Sequence, residues 1–446
     1  MNSDDVVGWP VERARHYRRS GCWRGKPLGA YLWANAERWG SRPALIAGDQ
    51  TLSYQALAGR CDDLAMRLSA LGLRRNDTVL VQLPNGLDLM IVVMACFRLG
   101  VVPVPMRMER SELAMAAVGA HVDAAAVIVA GIWRGIDRQS IARRMVRALP
   151  RQASVLVLGD RPAPDTVDLR ALLAAGDGAI TRHRWLDEHA PSGPDLALFL
   201  LTDADRDELR VVGHTHEAYE CCVRCSAAAA GFDSTTVYLA VLPASHHMVL
   251  GPGILAALHA GGRVVLLASN RADAAFEAIT RHGVTAATVT PDLAQQWVAH
   301  RPYTRSDLST LRALHVGGSI LAPTVAATIA TTLNCQLQQV YGMAEGLICY
   351  TPPNAPDHIA HHTQGKPISP HDELKIIDPH GNPQPPGHTG ELLTRGPYTP
   401  PGYHGAPQQN ATSYTPDGWY RTGDLVHLTT DGNIVVTGRV GVHAGR

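Results

Sequence analysis

The chain has 446 residues, of which 46% are hydrophobic and 18% are charged, and its formal net charge is zero. This length and hydrophobic content suffice for a large globular core with more than one subdomain. The balanced charge gives no general attraction to nucleic acid or to an anionic membrane, so neither is expected as a partner. No stretch reaches the roughly 18 apolar residues of a membrane-spanning helix, and no signal-peptide segment is evident, so we expect a cytoplasmic protein.

Short apolar runs alternate with helix-like segments through about the first 350 residues. The runs are continuously apolar, which is typical of parallel strands covered by helices on both faces. We therefore predict the α/β fold class, with more than one sheet. The predicted strands lie at residues 78–84, 124–130, 154–159, 196–202, 236–243 and 263–268, and the predicted helices include 85–99, 251–261 and 322–333.

From about residue 351 the sequence becomes dense in Pro and Gly, as in "GNPQPPGHTG" and "RGPYTPPGYHG". The remaining apolar runs, "ELKIID", "GELLTR" and "NIVVTGR", are short. Short strands separated by many turns are typical of a small β-rich subdomain, which we predict for about residues 350–439.

The eight cysteines are too few for a disulfide framework in a chain of this length. Three of them cluster in "CCVRC" (Cys221, Cys222 and Cys225), but no second Cys/His pair has matching spacing. Packing on a helix is therefore favoured over a metal site. The histidine pairs His246–His247 and His361–His362 also lack the i, i+4 spacing of a helical zinc motif.

Two late segments each place a carboxylate beside a predicted strand. In "QQVYGMAEG" (338–346), Glu345 follows a strand and a glycine turn, and in "DGWYRTGDLV" (417–426), Asp424 is predicted to follow a tight turn at Gly423. Ligands of α/β folds gather at such strand ends. A carboxylate there can bind Mg²⁺ beside phosphates or accept hydrogen bonds from ribose hydroxyls. Taken alone, an acid at such a turn is more often an ordinary surface residue than a ligand-binding one.

Together these segments resemble the adenylate-forming superfamily of acyl- and aryl-AMP ligases. "YGMAEG" is similar to the YGxTE motif and "YRTGDL" to the YRTGD motif, and "GGS" (Gly317–Ser319) lies where the superfamily has its adenine-side glycine turn. "TGR", ending at Arg439, is similar to the GR that reaches the ribose. "GWPVERARHYRRSGCWRGKPL", "LSYQAL", "VQLPN" and "FRLGVVPVP" narrow the likeness to the stand-alone 2,3-dihydroxybenzoate–AMP ligases of siderophore synthesis.

The resemblance covers roughly residues 7–439 and leaves 440–446 as an unmatched tail. It implies that residues 1–439 form the large N-terminal domain of an adenylate-forming enzyme, with two α/β subdomains, mixed sheets and the β-rich subdomain. The implied activity joins ATP and a hydroxylated aromatic carboxylic acid into an aryl-AMP, as starter unit for siderophore or nonribosomal peptide synthesis. ATP and Mg²⁺ are the implied cofactors, and an aryl or peptidyl carrier protein is the implied partner.

The resemblance also implies roles for individual residues. Glu345 would bind Mg²⁺ and, with Arg210 and His246, belong to the catalytic group. The aryl acid would contact His246, His247 and Gly317, with His246 at the floor of the pocket. Nucleotide binding would fall to Thr202, Gly317, Gly318, Ser319, Tyr341 near the adenine, Gly342, Asp424 at the ribose hydroxyls, and Arg439 at the ribose–phosphate side.

One segment departs from the family pattern. "FLLTDADRDELRVVGHTH" (199–216) is predicted to form a strand, a loop and a helix, and it aligns with the phosphate loop T-S-G-x-T-T-G-x-P-K. Thr202 and "HTH" remain, whereas the loop glycines and the lysine are replaced, with Arg210 nearest the position of the lysine. Residues 203–210 hold four acids and two arginines. A loop carboxylate about 4 Å from a phosphate charge is repelled by on the order of 4 kcal/mol at an effective dielectric near 20. Several such contacts disfavour a bound triphosphate unless Mg²⁺ lies between the charges.

The likeness stops at Arg439, whereas family members continue into a C-terminal lid domain that carries a catalytic lysine. We therefore expect this chain to lack the lid or to pair with a separately encoded one. The alternative function is a catalytically impaired pseudo-ligase that binds an aryl acid or a carrier protein without adenylating. The residues do not choose among salicylate, 2,3-dihydroxybenzoate, 3-hydroxyanthranilate and hydroxypicolinate types.

Overall fold

The computed structural model describes residues 7–174, 182–202 and 209–441. In these ranges the helices are α1 (Val11–Arg19), α2 (Leu28–Trp39), α3 (Tyr54–Ala70), α4 (Leu87–Leu99), α5 (Glu112–His121), α6 (Arg138–Val146), α7 (Leu169–Ala174), α8 (Arg184–Glu188), α9 (His216–Ala229), α10 (His247–Val249), α11 (Ala256–His259), α12 (Ala272–His282), α13 (Pro291–His300), α14 (Pro323–Leu333), α15 (Asp357–Ala360) and α16 (Pro407–Ser413). A π-helix (Leu250–Leu255) joins α10 to α11, and a 3₁₀-helix (Arg301–Tyr303) follows α13.

The strands in the same ranges are β1 (Pro43–Ala47), β2 (Gln50–Ser53), β3 (Thr78–Gln82), β4 (Val102–Pro105), β5 (Ala124–Ala130), β6 (Ile132–Trp133), β7 (Ile136–Asp137), β8 (Ser154–Leu158), β9 (Val167–Asp168), β10 (Leu196–Leu201), β11 (Val211–Thr215), β12 (Val237–Ala240), β13 (Arg263–Leu266), β14 (Ala286–Val289), β15 (Ala313–Gly317), β16 (Gln336–Gly342), β17 (Ile348–Tyr350), β18 (Lys366–Pro367), β19 (Glu373–Ile377), β20 (Gly390–Arg395), β21 (Tyr420–Leu428) and β22 (Ile434–Arg439).

The chain folds into two compact units. The first unit comprises Arg18–Glu220 together with Pro243–His246. The second unit comprises Val7–Tyr17, Cys221–Leu242 and the chain from His247 onward. Both contain parallel strands with helices between them, so the predicted α/β fold class with more than one sheet is confirmed.

The first unit is built on a five-stranded parallel sheet in the order β4-β3-β5-β8-β9. Every residue of β5 is buried, as its unbroken apolar sequence predicts for a central parallel strand. Helix α4 is buried along almost its whole length and ends at Gly100, whose φ of 79° suits the left-handed C-cap that glycine adopts readily. The core of this unit is dominated by Val, Leu and Met side chains from the sheet and from α5 and α6.

The segment 199–216 differs from the prediction of a strand, a loop and a helix. Its strand β10 pairs in antiparallel orientation with a second strand, β11, which leads directly into α9. Residues Val211 and Val212 are β-branched and fully buried, so pairing with β10 satisfies their backbone groups and covers their side chains. The parallel arrangement predicted for 196–202 was therefore wrong. The acidic residues 203–208 lie outside the described residues.

The second unit contains two sheets. In the first, β13, β12, β14, β15 and β16 are parallel in that spatial order, and β17 and β18 continue it in antiparallel orientation. The second is a four-stranded antiparallel sheet in the order β19-β20-β21-β22. Its strands lie within the predicted β-rich stretch. Its buried face carries Ile376, Leu392, Val426 and Ile434.

The cysteines show no metal site or disulfide. None of the eight forms a disulfide, and Cys221, Cys222 and Cys225 lie on α9, with the Sγ atoms of Cys221 and Cys225 4.0 Å apart. Among the residues that the structure describes, no group of three or more His, Cys, Asp or Glu side chains could hold a metal ion. The same residues contain no helix that is long and apolar enough to cross a membrane.

A buried histidine makes the first unit sensitive to acid. His216 is fully buried and its Nδ1 accepts a hydrogen bond from the Leu28 backbone N–H (3.2 Å), while burial lowers the pKa of its imidazole from 6.5 to about 3. Between these two values the unfolded chain binds a proton that the folded chain does not, so stability falls as the pH falls through this window. We expect this group to reduce the free energy of unfolding by about 2 kcal/mol between pH 7 and pH 5.

Urea titrations of the parent and of His216→Gln at pH 7 and pH 5 measure this loss. The variant should lose less stability than the parent between the two pH values, since glutamine does not titrate. His380→Gln, at an exposed position, controls for the removal of a histidine. Equal losses in the parent and in His216→Gln would contradict the assignment.

Candidate functional site

Asp424 lies inside strand β21. The prediction that it follows a tight turn at Gly423 was therefore wrong. Glu391 is the cross-strand partner of Leu425, and Leu393 is that of Arg421. Between these two pairs β21 has more residues than β20, so β21 forms a β-bulge there. Gly423 provides the bulge with a φ of 70°, a conformation that side-chain-bearing residues rarely adopt. The bulge replaces the predicted turn because Gly423 remains hydrogen-bonded in the sheet, its carbonyl accepting from the Val440 N–H (2.8 Å).

The carboxylate of Asp424 is held by two motif residues. The Tyr341 hydroxyl donates to Oδ2 of Asp424 over 2.6 Å, and Nε of Arg439 lies 3.1 Å from Oδ1. Arg439 is the cross-strand partner of Asp424 on β22, and Tyr341 comes from β16 of the other sheet of this unit. Burial and the charge of Asp424 raise the pKa of the Tyr341 phenol well above its usual value, so Tyr341 stays a neutral donor. The side chain of Arg439 is 61% exposed, so its guanidinium can contact a ligand as well as Asp424.

The glycine turn follows β15. A Cβ on Gly317 would lie 2.4 Å from the Val340 carbonyl oxygen and 2.9 Å from Sδ of Met248, so only glycine fits between these neighbours. Gly318 has a φ of 99°, and Gly318 and Ser319 are exposed. Gly342, at the end of the neighbouring strand β16, is also exposed. The turn thus presents backbone at the carboxyl edge of parallel strands, where α/β folds bind ligands.

Glu345 is buried, with 5% of its surface exposed. The Tyr403 hydroxyl donates to Oε1 of Glu345 over 2.8 Å, and the hydroxyls of Tyr403 and Tyr420 lie 3.1 Å apart. The Glu345 carboxylate therefore has a hydrogen-bond donor that holds it in one orientation.

The other sequence-predicted residues are divided between the two units. Thr202 and Arg210 belong to the first unit, are half-buried, and are joined by a backbone hydrogen bond from the Thr202 N–H to the Arg210 carbonyl (3.3 Å). His246 is also in the first unit, in a turn where its N–H donates to the Pro243 carbonyl (3.0 Å). His247 begins α10 in the second unit and is buried.

Three contacts of the site were missed at the level of sequence. Tyr403 lies in "PPGYHG", which predicts only turns, and Tyr420 opens the YRTGDL motif without any sign that it approaches Tyr403. Met248 packs against Gly317 although the two are far apart in sequence. Of these residues, only Tyr420 lies in a recognisable motif, YRTGDL, and could have been selected from the sequence.

The chain matches a known protein family and individual known proteins over most of its length. Residues 32–404 match the family described as AMP-binding enzyme. The chain is 42% identical over 441 residues to a salicylyl-CoA synthase / salicylate adenylyltransferase of a Streptomyces species, covering 98% of this chain and 80% of that protein. It is 40% identical over 432 residues to the 2,3-dihydroxybenzoate-AMP ligase of Bacillus subtilis, covering 97% of this chain and 78% of that protein.

The chain is also similar to a solved structure over almost its whole length. The apo structure of Mycobacterium smegmatis MbtA is 36% identical, superposes with a TM-score of 0.89, and aligns over 98% of this chain and 80% of its own. The architecture is thus the α/β N-terminal domain of adenylate-forming enzymes. The chain belongs to the AMP-binding enzyme family. It spans about four-fifths of the length of these relatives.

Proposed function

We propose that the chain is an ATP-dependent aryl-acid–AMP ligase, which activates a hydroxylated aromatic carboxylic acid as a starter unit for siderophore or nonribosomal peptide synthesis. The observation that carries the proposal is the carboxylate of Asp424, held between the Tyr341 hydroxyl and the Arg439 guanidinium. The relatives named for salicylate adenylylation and 2,3-dihydroxybenzoate–AMP ligation support it.

In this reaction a carboxylate oxygen of the aryl acid attacks the α-phosphorus of ATP. The new bond is the acyl phosphate of the aryl-AMP, and the bond between the α-phosphorus and the bridging oxygen breaks to release pyrophosphate. No protein nucleophile takes part, so the protein contributes position and charge stabilisation. Asp424 would accept hydrogen bonds from the ribose hydroxyls, Arg439 would face the ribose–phosphate side, and Tyr341 and the turn Gly317–Ser319 would flank the adenine.

Glu345 fits a Mg²⁺ ligand. It supplies a buried carboxylate with one oxygen already oriented by Tyr403, and Mg²⁺ beside nucleotide phosphates typically uses one or two protein carboxylates. When bound, the ion would neutralise phosphate charge. The aryl acid would contact His247, whose imidazole can donate to or accept from an ortho substituent.

Mass spectrometry of the purified chain with Mg²⁺-ATP and a panel of hydroxylated aromatic acids tests the proposal. We expect an aryl-AMP from at least one acid. Glu345→Gln should lower its rate of formation at least about tenfold, because a neutral amide is a poor Mg²⁺ ligand. The control, Glu373→Gln, removes a carboxylate that pairs with Arg395 on the antiparallel sheet (2.7 Å) and should leave the rate unchanged. Unchanged activity in Glu345→Gln would contradict the site assignment.

The second candidate function is a pseudo-ligase that binds an aryl acid or a carrier protein without adenylating. The four acids and missing glycines of residues 203–210 favour it. It predicts that the folded chain binds an aryl acid, measured by calorimetry, yet forms no aryl-AMP from any acid. If adenylation is found, transfer of the aryl group to a carrier-protein thiol becomes the next measurement.

A further inference from the structure

Two buried tyrosines form a directional hydrogen-bond chain that ends on Glu345. Tyr403 donates to Oε1 of Glu345 (2.8 Å), and its hydroxyl lies 3.1 Å from that of Tyr420. A phenol has only one proton, and that of Tyr403 is engaged by the carboxylate, so Tyr420 must be the donor to Tyr403. The order is thus Tyr420 to Tyr403 to Glu345.

Tyr403 is rigidly placed. It is completely buried, and the Asn410 side chain bonds its backbone at both ends, with Oδ1 accepting from the Tyr403 N–H (2.7 Å) and Nδ2 donating to the Tyr403 carbonyl (2.9 Å). The Tyr414 ring packs on edge against the Tyr403 ring, with centroids 5.8 Å apart. The hydroxyl of Tyr403 therefore has a fixed position.

The backbone next to Glu345 is equally constrained. Gly346 has a φ of 137°, and a Cβ there would lie 2.3 Å from Oγ1 and 2.6 Å from Cα of Thr399. The chain after Glu345 thus packs directly on the segment that leads to Tyr403, with no room for a side chain between them.

Tyr420 remains a hydrogen-bond donor at any ordinary pH. Burial raises the pKa of Tyr420, and the neighbouring charge of Glu345 raises it further. A buried carboxylate is costly to leave without hydrogen bonds, and bonds to a charged group are among the stronger ones in proteins. The two tyrosine hydroxyls therefore hold the Glu345 carboxylate in a single orientation.

We propose that Tyr403 is a positioning residue, which holds Oε1 of Glu345 so that Oε2 is presented to the divalent cation of the bound nucleotide. Tyr420 orients the Tyr403 hydroxyl by donating a hydrogen bond to it. This inference rests on the proposed function, because it takes Glu345 as the cation ligand. The Tyr403→Phe substitution removes the hydroxyl and keeps the ring packing. It should weaken binding of the cation much more than it destabilises the fold.

The test measures Mn²⁺ binding by electron paramagnetic resonance, with ATP whose α- and β-phosphates are joined by a methylene group. We expect Tyr403→Phe to raise the Kd of Mn²⁺ about tenfold and Tyr420→Phe about threefold, since a hydrogen bond to a charged group is lost directly in one and weakened in the other. In adenylation assays the Mg²⁺ concentration for half-maximal rate should rise by similar factors, with a smaller change in kcat at saturating Mg²⁺.

Tyr398→Phe is the matched control. Tyr398 is also completely buried and its hydroxyl donates to a carboxylate, that of Asp372, in the same unit. Its loss should lower the Tm to a similar extent without changing the Kd of Mn²⁺. A Kd within twofold of the parent in Tyr403→Phe, or an equal rise in Tyr398→Phe, would overturn the proposal. If Tyr403→Phe does not fold, an unchanged Kd in Tyr420→Phe has the same consequence.

Different results would contradict the proposed ligase function and the proposed positioning role of Tyr403. A parent chain that binds Mn²⁺ with the nucleotide analogue but forms no aryl-AMP contradicts the ligase function, and the binding comparison still decides the role of Tyr403. A parent chain whose Mn²⁺ binding is unchanged by Glu345→Gln overturns the positioning role.

Discussion

Asp424→Asn should lower kcat/KM for ATP by about two orders of magnitude in the aryl-AMP assay. The carboxylate is fixed by Tyr341 and Arg439, and as a ribose ligand it would accept two charge-assisted hydrogen bonds, each contributing about 1.5–3 kcal/mol. An amide accepts with only one of its two terminal groups and carries no charge, so at least one of these bonds is lost outright. The loss should appear mainly in the KM for ATP, because the ribose contacts are present before and during the reaction.

Glu391→Gln is the matched control for this substitution. Glu391 is a partly buried acid on β20 of the same antiparallel sheet, and it forms an ion pair with Arg421 on β21. Its removal also deletes one carboxylate–arginine pair from the sheet, but outside the cluster of Tyr341 and Arg439. We expect its kcat/KM for ATP to stay within about twofold of the parent. A similar loss in both variants would mean that Asp424 acts through the fold of the sheet.

Gly365→Ala should destabilise the second unit by at least about 3 kcal/mol. Gly365 has a φ of 75°, and a Cβ there would lie 1.9 Å from the carbonyl oxygen and 2.0 Å from the carbonyl carbon of Tyr350. Both neighbours are backbone atoms of β17, so no rotamer change can relieve the overlap. The Gly365 carbonyl also accepts from the Ile434 N–H (2.8 Å), so a shift of this residue disturbs the start of β22 as well. The midpoint of urea unfolding measures the effect.

Gly381→Ala separates the steric overlap from the conformational preference. Gly381 has a φ of 86°, close to that of Gly365, but a Cβ there meets no atom within 4 Å. Its alanine variant should therefore lose only the roughly 1–2 kcal/mol that an L-residue pays in the left-handed region. Equal losses at the two positions would show that the contact with Tyr350 has no energetic effect.

The periodicity and composition of the chain were sufficient to predict the parallel strands. The run 124–130 became β5 without a change of boundary, and 85–99 became α4 with two residues removed at its start. These segments are continuously apolar because both faces of a central strand, and all sides of a buried helix, are covered. The hairpin of β10 and β11 was not predicted, because the partner of a strand is set by contacts across the sheet, and its short apolar runs look the same in either orientation.

In the candidate site, too, some features could be predicted from the sequence and others could not. The motif residues Tyr341, Glu345, Asp424 and Arg439 were selected from sequence by resemblance, and their roles remain predictions. The bulge at Gly423 could not be predicted, since it depends on how β20 and β21 align within their sheet. The hydrogen bond between Tyr341 and Asp424 could not be predicted either, since it joins two sheets through residues 83 positions apart.

The sequence by itself determined the α/β class, the family and the identities of the charged and glycine residues of the motifs, since these depend on local pattern and on short motifs. Only the tertiary structure decided which groups meet: Tyr403 with Glu345, Tyr341 with Asp424, and the Val340 carbonyl with Gly317. The physical reason is that hydrogen-bond partners and close packing are fixed by how strands align in space, and no local periodicity encodes that alignment.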